Sequence, residues 1–133
     1  MSLFVKKPAI NASASASSQT RRSTISGSDS LLIRHILDAI EQVERYTRGM
    51  SESEFLSRSM VQDAVVRQIE VIGEAATSLS VEFQGEHPKV PWSKMISIRK
   101  KIIPEDFNVN LASIWNTVQD DLPLHRQAIK KLL

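Results

Sequence analysis

A chain of 133 residues without cysteine has no disulfides, thiolate nucleophiles or cysteine-ligated metal centres, and its length suits one domain. Apolar residues make up 41% and aromatics only 5%, which fits a compact helical protein with an aliphatic core. The net charge of +2 is uneven: residues 1–28 carry Lys6, Lys7, Arg21 and Arg22 and no acid, while the other 105 residues hold 13 basic and 15 acidic side chains. A nucleic-acid contact on the body therefore needs a local cluster such as Arg99, Lys100 and Lys101 rather than a basic face.

Residues 1–30 read as a flexible, basic Ser/Ala-rich leader, because the run has too few large apolar side chains to offset the entropy of ordering itself. As an organellar targeting segment it fits poorly, since Lys7-Pro8 and the Ser/Ala run make a weak amphipathic helix. No apolar run approaches the roughly 18 residues that span a bilayer. The expectation is a cytoplasmic protein with no membrane partner, whose folded domain covers residues 31–133.

Helical periodicity begins at Ser28. Ser28, Asp29 or Ser30 can cap a first helix whose Ile33, Ile36, Leu37, Ile40 and Val43 form one apolar stripe ending near Gly49. Ser51 and Glu54 have capping-box spacing ahead of Phe55 and Leu56. A long second helix is expected to follow, with Val61, Ala64, Val65, Ile69, Ile72, Ala76 and Leu79 in phase. Gly73 within it costs about 1 kcal/mol relative to alanine, which suggests close approach by another backbone.

A break is expected from Gly85 to Pro91, after which a third helix runs from about Trp92 to Ile103 with Met95, Ile96, Ile102 and Ile103 on its buried side. Asn110 is placed to cap a fourth helix carrying Leu111, Ile114, Trp115 and Val118. Pro123 can open a fifth with Ile129, Leu132 and Leu133. Nothing alternates with period two, so the fold class is all-α, a bundle of about five helices with short antiparallel connections.

Among polar residues, Arg67, Glu70 and Glu74 have helical spacing for ion pairs, and a surface or interface salt network is their plainest reading. His35 suits a capping or interface role, and His87 and His125 are expected to be solvated. Asp120 and Asp121 read as helix-boundary residues. No His, Asp and Glu set has metal-ligand spacing, so neither metal nor cofactor is expected. Trp92 and Trp115 read as core or interface aromatics.

The run Gln62-Asp-Ala-Val-Val-Arg-Gln-Ile-Glu-Val-Ile-Gly-Glu-Ala-Ala76, with Val90-Pro-Trp92, Ile98-Arg99 and Ile114-Trp115-Asn-Thr-Val-Gln-Asp-Asp-Leu-Pro123, resembles the HepT group of HEPN-domain toxins. The resemblance covers about residues 31–133. It implies a HEPN-like homodimer that cleaves RNA without metal and is paired in a toxin–antitoxin system with a minimal nucleotidyltransferase (MNT) antitoxin. In that group an Arg, usually followed by Asn, precedes a His and then a Tyr, and two such motifs face a cleft at the dimer interface. The Arg would hold the scissile phosphate while the His moves a proton during attack by the ribose 2′-hydroxyl. The Tyr is the position the antitoxin adenylylates.

Placed on this chain, Arg99 falls at the motif Arg, Lys100 at the Asn, Pro104 at the His and Asp106 at the Tyr. Proline titrates at no pH, and it biases Ile103 away from helical geometry, so the third helix is expected to end or kink there. Asp106 offers no phenol and sets a negative charge where a phosphate would approach. On this frame Glu70 or Glu74 would orient Arg99 across the cleft. The resemblance thus implies a ribonuclease lineage with a broken motif. The alternative is a non-catalytic dimeric module that docks the nucleotidyltransferase.

Overall fold

The computed structural model describes residues 27–102 and 109–133. The leader before residue 27 and the positions Ile103, Pro104 and Asp106 lie outside the described residues.

The first helix, α1 (Gly27–Thr47), buries the whole stripe Ile33, Ile36, Leu37, Ile40 and Val43. It stops at Gly49, whose φ of 73° lies in the left-handed region that glycine enters without steric cost. Ser28, Asp29 and Ser30 lie inside its first turn. The Asp29 carboxylate reaches across the fold, accepting from the Ser80 backbone N–H at 3.0 Å and the Ser80 hydroxyl at 2.8 Å. That contact joins the start of α1 to the far end of the next long helix, so the two run antiparallel.

The capping box forms as the spacing predicts: the Glu54 N–H donates to Ser51 Oγ at 3.1 Å, and the Ser51 N–H donates to Glu54 Oε1 at 2.9 Å. It opens a separate short helix, α2 (Glu52–Leu56), rather than the long helix expected from sequence. The reason is local. Ser57 turns both its hydroxyl and its N–H onto the Glu54 carbonyl, an alternative to helix continuation, and Arg58 leaves helical geometry with φ −121°. The long helix α3 (Ser59–Ser78) begins after it and buries Val65, Ile69, Ile72, Gly73, Ala75 and Ala76.

The expected break is shorter than the sequence implied. Ser80 caps α4 (Val81–Glu86), its hydroxyl accepting from the Phe83 N–H, so Gly85 is helical and only residues 87–91 connect to α5 (Trp92–Ile102). The Trp92 indole N–H bonds the His87 carbonyl at 3.0 Å and its ring packs beside Phe83. Trp92, Met95, Ile98 and Ile102 form the buried side of α5. Ile96, expected there, is 37% exposed because it stands about 100° round the helix from Met95, while Ile98 takes its place in the stripe.

The last two predicted helices are continuous. Asn110 caps α6 (Leu111–Asn116), its Oδ1 accepting from the Ser113 N–H, and the chain passes through a π turn, Thr117–Asp121, directly into α7 (Leu122–Lys130). Pro123 therefore sits within a helix and does not begin a detached one. In the π turn the Leu122 N–H reaches back to the Thr117 carbonyl, one residue further than an α-turn. The widening precedes a residue with no N–H, whose ring would crowd an ordinary α-turn, and it leaves Thr117 and Leu122 both buried.

α3 packs against α1 on one side and α5 on the other. α7 returns to α1, where Arg126 lies 3.7 Å from Glu41 and 3.2 Å from Glu44, and Trp115 of α6 packs 5.4 Å from Phe55 of α2. The bundle closes on an aliphatic core, and His125, expected to be solvated, is buried within it at 3% exposure. No helix among the described residues is long and apolar enough to cross a membrane.

Gly73 marks the α3–α5 crossing. A Cβ built there would lie 3.7 Å from the Met95 carbonyl oxygen, 3.8 Å from that of Ile96 and 4.0 Å from the Arg99 Cβ. These are ordinary contact distances, so a methyl group fits and a longer side chain does not. Gly73→Ala is expected to leave the fold unchanged and raise stability by up to about 1 kcal/mol. Gly73→Leu is expected to destabilise by about 1–3 kcal/mol as α5 is pushed away. Urea denaturation of both variants, followed by the combined fluorescence of Trp92 and Trp115, checks the contrast in sign.

Candidate functional site

Arg99 occupies the last turn of α5, on the flank that faces α3. Its position follows from the helix period: Met95 and Ile102, on either side of it in sequence, are buried, so Arg99 emerges at the edge of the apolar stripe, beside Gly73. Its Nε lies 3.4 Å from Glu70 Oε2, with the two side chains 52% and 31% exposed. At that exposure the pair contributes about 0–1 kcal/mol to stability, so its effect is to aim the guanidinium. With Nε turned to Glu70, the terminal nitrogens of the guanidinium keep in-plane N–H donors free for a phosphate oxygen.

The rest of the sequence-predicted set divides clearly. Lys100 and Lys101 are exposed beside Arg99 in the same turn, at the helix C-terminus, where positive charge is favoured. Arg67 and Glu74 are exposed and have no ion-pair partner among the described residues. The salt network expected along α3 is therefore replaced by one bond between helices, Glu70 to Arg99. Pro104 and Asp106 lie outside the described residues. The backbone on either side of that stretch is tied together, since the Asn110 N–H donates to the Ile102 carbonyl at 3.1 Å.

The other flank of α5 was not anticipated from sequence. Lys101, two residues from Arg99 and so about 200° round the helix, sets its Nζ 3.4 Å from the Asp121 carboxylate at the end of the π turn. Asp121 is thus an ion-pair partner that holds α5 from the side opposite Glu70, in addition to marking a helix boundary. One turn beyond it lies His125. Its Nδ1 is sealed from solvent with no hydrogen-bond partner among the described residues.

Burial lowers the proton affinity of His125 below the ordinary 6.5, opposed by the nearby Asp121 carboxylate and reinforced by the Lys94 ammonium. A protonated ring would bury an orphan N–H at Nδ1, whereas the neutral ring with its proton on Nε2 leaves only a lone pair there. No group of three or more His, Cys, Asp or Glu side chains that could hold a metal ion occurs among the described residues.

The sign of the pH effect follows from the lowered value. The folded state binds the His125 proton less readily than the unfolded state, so stability is fully present above about pH 6.5 and lost as pH falls below it. The urea midpoint is expected to fall between pH 7.5 and pH 5.5. In His125→Gln that fall is expected to shrink, whatever the variant's starting stability. Chemical denaturation at the two pH values measures it.

Comparison with known proteins adds a second line of observation. Residues 36–132 match the family model described as Ribonuclease HepT-like. The chain is 36% identical over 100 residues to the "Probable ribonuclease HepT" of Thermococcus cleftensis, a match covering 75% of this chain and 91% of that protein. It is 36% identical over 101 residues to the "Putative RNase TTE0752" of Caldanaerobacter subterraneus subsp. tengcongensis, covering 76% of this chain and 90% of that one. A match at 36% over 103 residues to the "Gamma-glutamylcyclotransferase and putative RNase MJ0434" of Methanocaldococcus jannaschii covers 77% of this chain but only 46% of that longer protein. No solved structure matches the chain.

Proposed function

Because the chain belongs to the HepT-like ribonuclease family, we propose that it is a toxin-lineage ribonuclease whose RNA-cleaving chemistry is silenced at positions 104 and 106. The observation that carries this reading is the pairing of a retained arginine with a lost acid–base group. Arg99 stands at the edge of α5, aimed by Glu70 at 3.4 Å, while the position expected to move the proton is Pro104.

The chemistry sets the consequence. Cleavage through the ribose 2′-hydroxyl needs a group that takes a proton from the nucleophile or gives one to the leaving oxygen, and such a group contributes about 10²–10⁴-fold in rate. Arginine remains protonated at working pH, so Arg99 can hold a phosphate and stabilise developing charge but cannot cycle a proton. Pro104 has no proton to give. His125 does not replace it, since it is buried on the far flank of α5 from Arg99. Asp106, an acid at the position expected to hold Tyr, lacks the phenol that adenylylation requires.

In this reading two copies assemble as a homodimer, with Arg99 of each lining a shared cleft, and a nucleotidyltransferase antitoxin docks on the pair. A second reading follows from the intact bundle around a broken motif: the chain persists as a non-catalytic module whose retained role is that docking. Its support is the preserved helical frame and the Arg99–Glu70 bond.

Expression of the chain is expected to be harmless and its purified form to leave RNA intact. The double variant Pro104→His with Asp106→Tyr is expected to cleave RNA and to slow host growth, and Arg99→Ala placed on top of it to abolish both. Cleavage is followed on labelled RNA in the presence of EDTA. Robust cleavage by the unaltered chain would sink the silenced-site reading.

A further inference from the structure

On the flank of α5 turned away from Arg99, the π turn and α7 enclose a cleft of about 230 Å³ lined by Lys94, Ser97, Ile98, Lys101, Asp121 and His125. Its composition follows from two helical periods. Lys94, Ser97, Ile98 and Lys101 share one face of α5 at steps of three and four residues, and Asp121, the last residue of the π turn, and His125, in the first turn of α7, face them. The floor is apolar at Ile98, which is 3% exposed. The rim bears two ammonium groups and a hydroxyl.

We propose that this cleft is a phosphate-group site, with Lys94 and Lys101 supplying charge, and Ser97 and the buried His125 ring supplying hydrogen-bond donors.

Three observations point the same way. First, His125 is buried to 3% exposure, yet no hydrogen bond to it forms within the described residues, which is an unusual state for an imidazole at a cleft wall. With Nδ1 sealed, Nε2 is the nitrogen available to the cleft, and the depressed proton affinity keeps it a neutral N–H donor there. Second, Lys94 has no ion-pair partner among the described residues. The nearby Ser97 hydroxyl is committed only to a long 3.3 Å bond with the Lys94 carbonyl, so it can turn to a stronger acceptor. Third, the one acid present, Asp121, is engaged by Lys101 at 3.4 Å across a half-exposed pair. An arriving phosphate competes with that carboxylate for Lys101, and the weak exposed pair gives way at little cost.

Arg99 points from the opposite flank of the same helix, so this site is separate from the one built around Glu70. The phosphate can come from an RNA strand that crosses α5 or from a small free phosphate. The RNA source rests on the ribonuclease reading, and the free source does not.

The test uses the full chain at constant pH, with the His125 ring carbon–proton resonances as reporter. Inorganic phosphate and a 2′-O-methyl RNA octamer, which resists cleavage, are titrated separately. The octamer is expected to shift the His125 resonances saturably, and Lys94→Ala is expected to weaken that binding about two- to fivefold, an effect typical of one exposed charge contact. The salt dependence of log K in the variant is expected to flatten by about 0.7, one single-strand phosphate contact.

A His125 shift with phosphate alone keeps the site and assigns it to free phosphate. Resonances of His125 that stay fixed with both probes overturn the proposal. If neither probe moves His125 while the octamer moves signals around Arg99, the cleft is not a phosphate site and the ribonuclease reading stands. If phosphate moves His125 and the octamer moves nothing, the cleft stands and the ribonuclease reading loses its substrate. His125 shifts that persist undiminished in both Lys94→Ala and Lys101→Ala would also overturn the assignment.

Discussion

Arg99 meets Glu70 because α5 crosses α3 at the one place in α3 where a side chain is missing. With Gly73 at the crossing, the carbonyl oxygens of Met95 and Ile96 come within about 4 Å of where a Cβ would stand, and the Arg99 Cβ comes with them. The rest of the site inherits that spacing. Glu70 lies three residues before Gly73 on the same helix face, so its carboxylate arrives at the height of the guanidinium without either side chain needing burial. A weak, exposed ion pair suffices to aim the arginine, because the backbones already hold it near the right position. On the opposite side Asp121 holds Lys101, and α5 is fixed from both flanks by pairs whose individual worth is small.

Features carried by local chemistry were legible in the sequence. The stripe of α1, the capping box at Ser51 and Glu54, the Asn110 cap and the close approach at Gly73 all depend on residues within a turn or two of one another, or on a single residue whose cost needs a cause. The same holds for Arg99, whose emergence at the edge of a stripe can be counted from its neighbours. Where the sequence misled, the cause was a short polar bond that periodicity does not register or an apolar stripe read one step out of phase. Ser57 broke one expected helix into two by bonding the Glu54 carbonyl, and Ile98, one step out of the predicted phase, displaced Ile96 from the core.

The carboxyl-terminal third was harder to read. Proline at position 123 is an ordinary start signal, and the reading of a fresh helix there follows correctly from its missing N–H. What overrides it is that a π turn supplies the same relief inside a continuous helix, at the expense of one ladder bond. That choice keeps α6 and α7 in one rod and sets the register in which His125 faces inward and Asp121 faces α5. No local signal separates the two outcomes. A histidine flanked by Leu124 and Arg126 gives no hint of its own burial until the turn before it is known.

The bond between Asp29 and Ser80 closes the first turn of α1 onto the entry to α4 across 51 residues of sequence. The same Ser80 oxygen that donates to Asp29 accepts from the Phe83 N–H, so one hydroxyl serves as latch to α1 and as cap to α4. These two segments therefore form a single cooperative unit for local opening: fraying at the start of α1 removes the orientation of the group that caps α4. The Phe83 and Trp92 side chains that wall that end of the core are then loosened by an event at the other end of the sequence from Arg99. Because Trp92 also opens α5, that loosening enters the helix whose last turn carries Arg99.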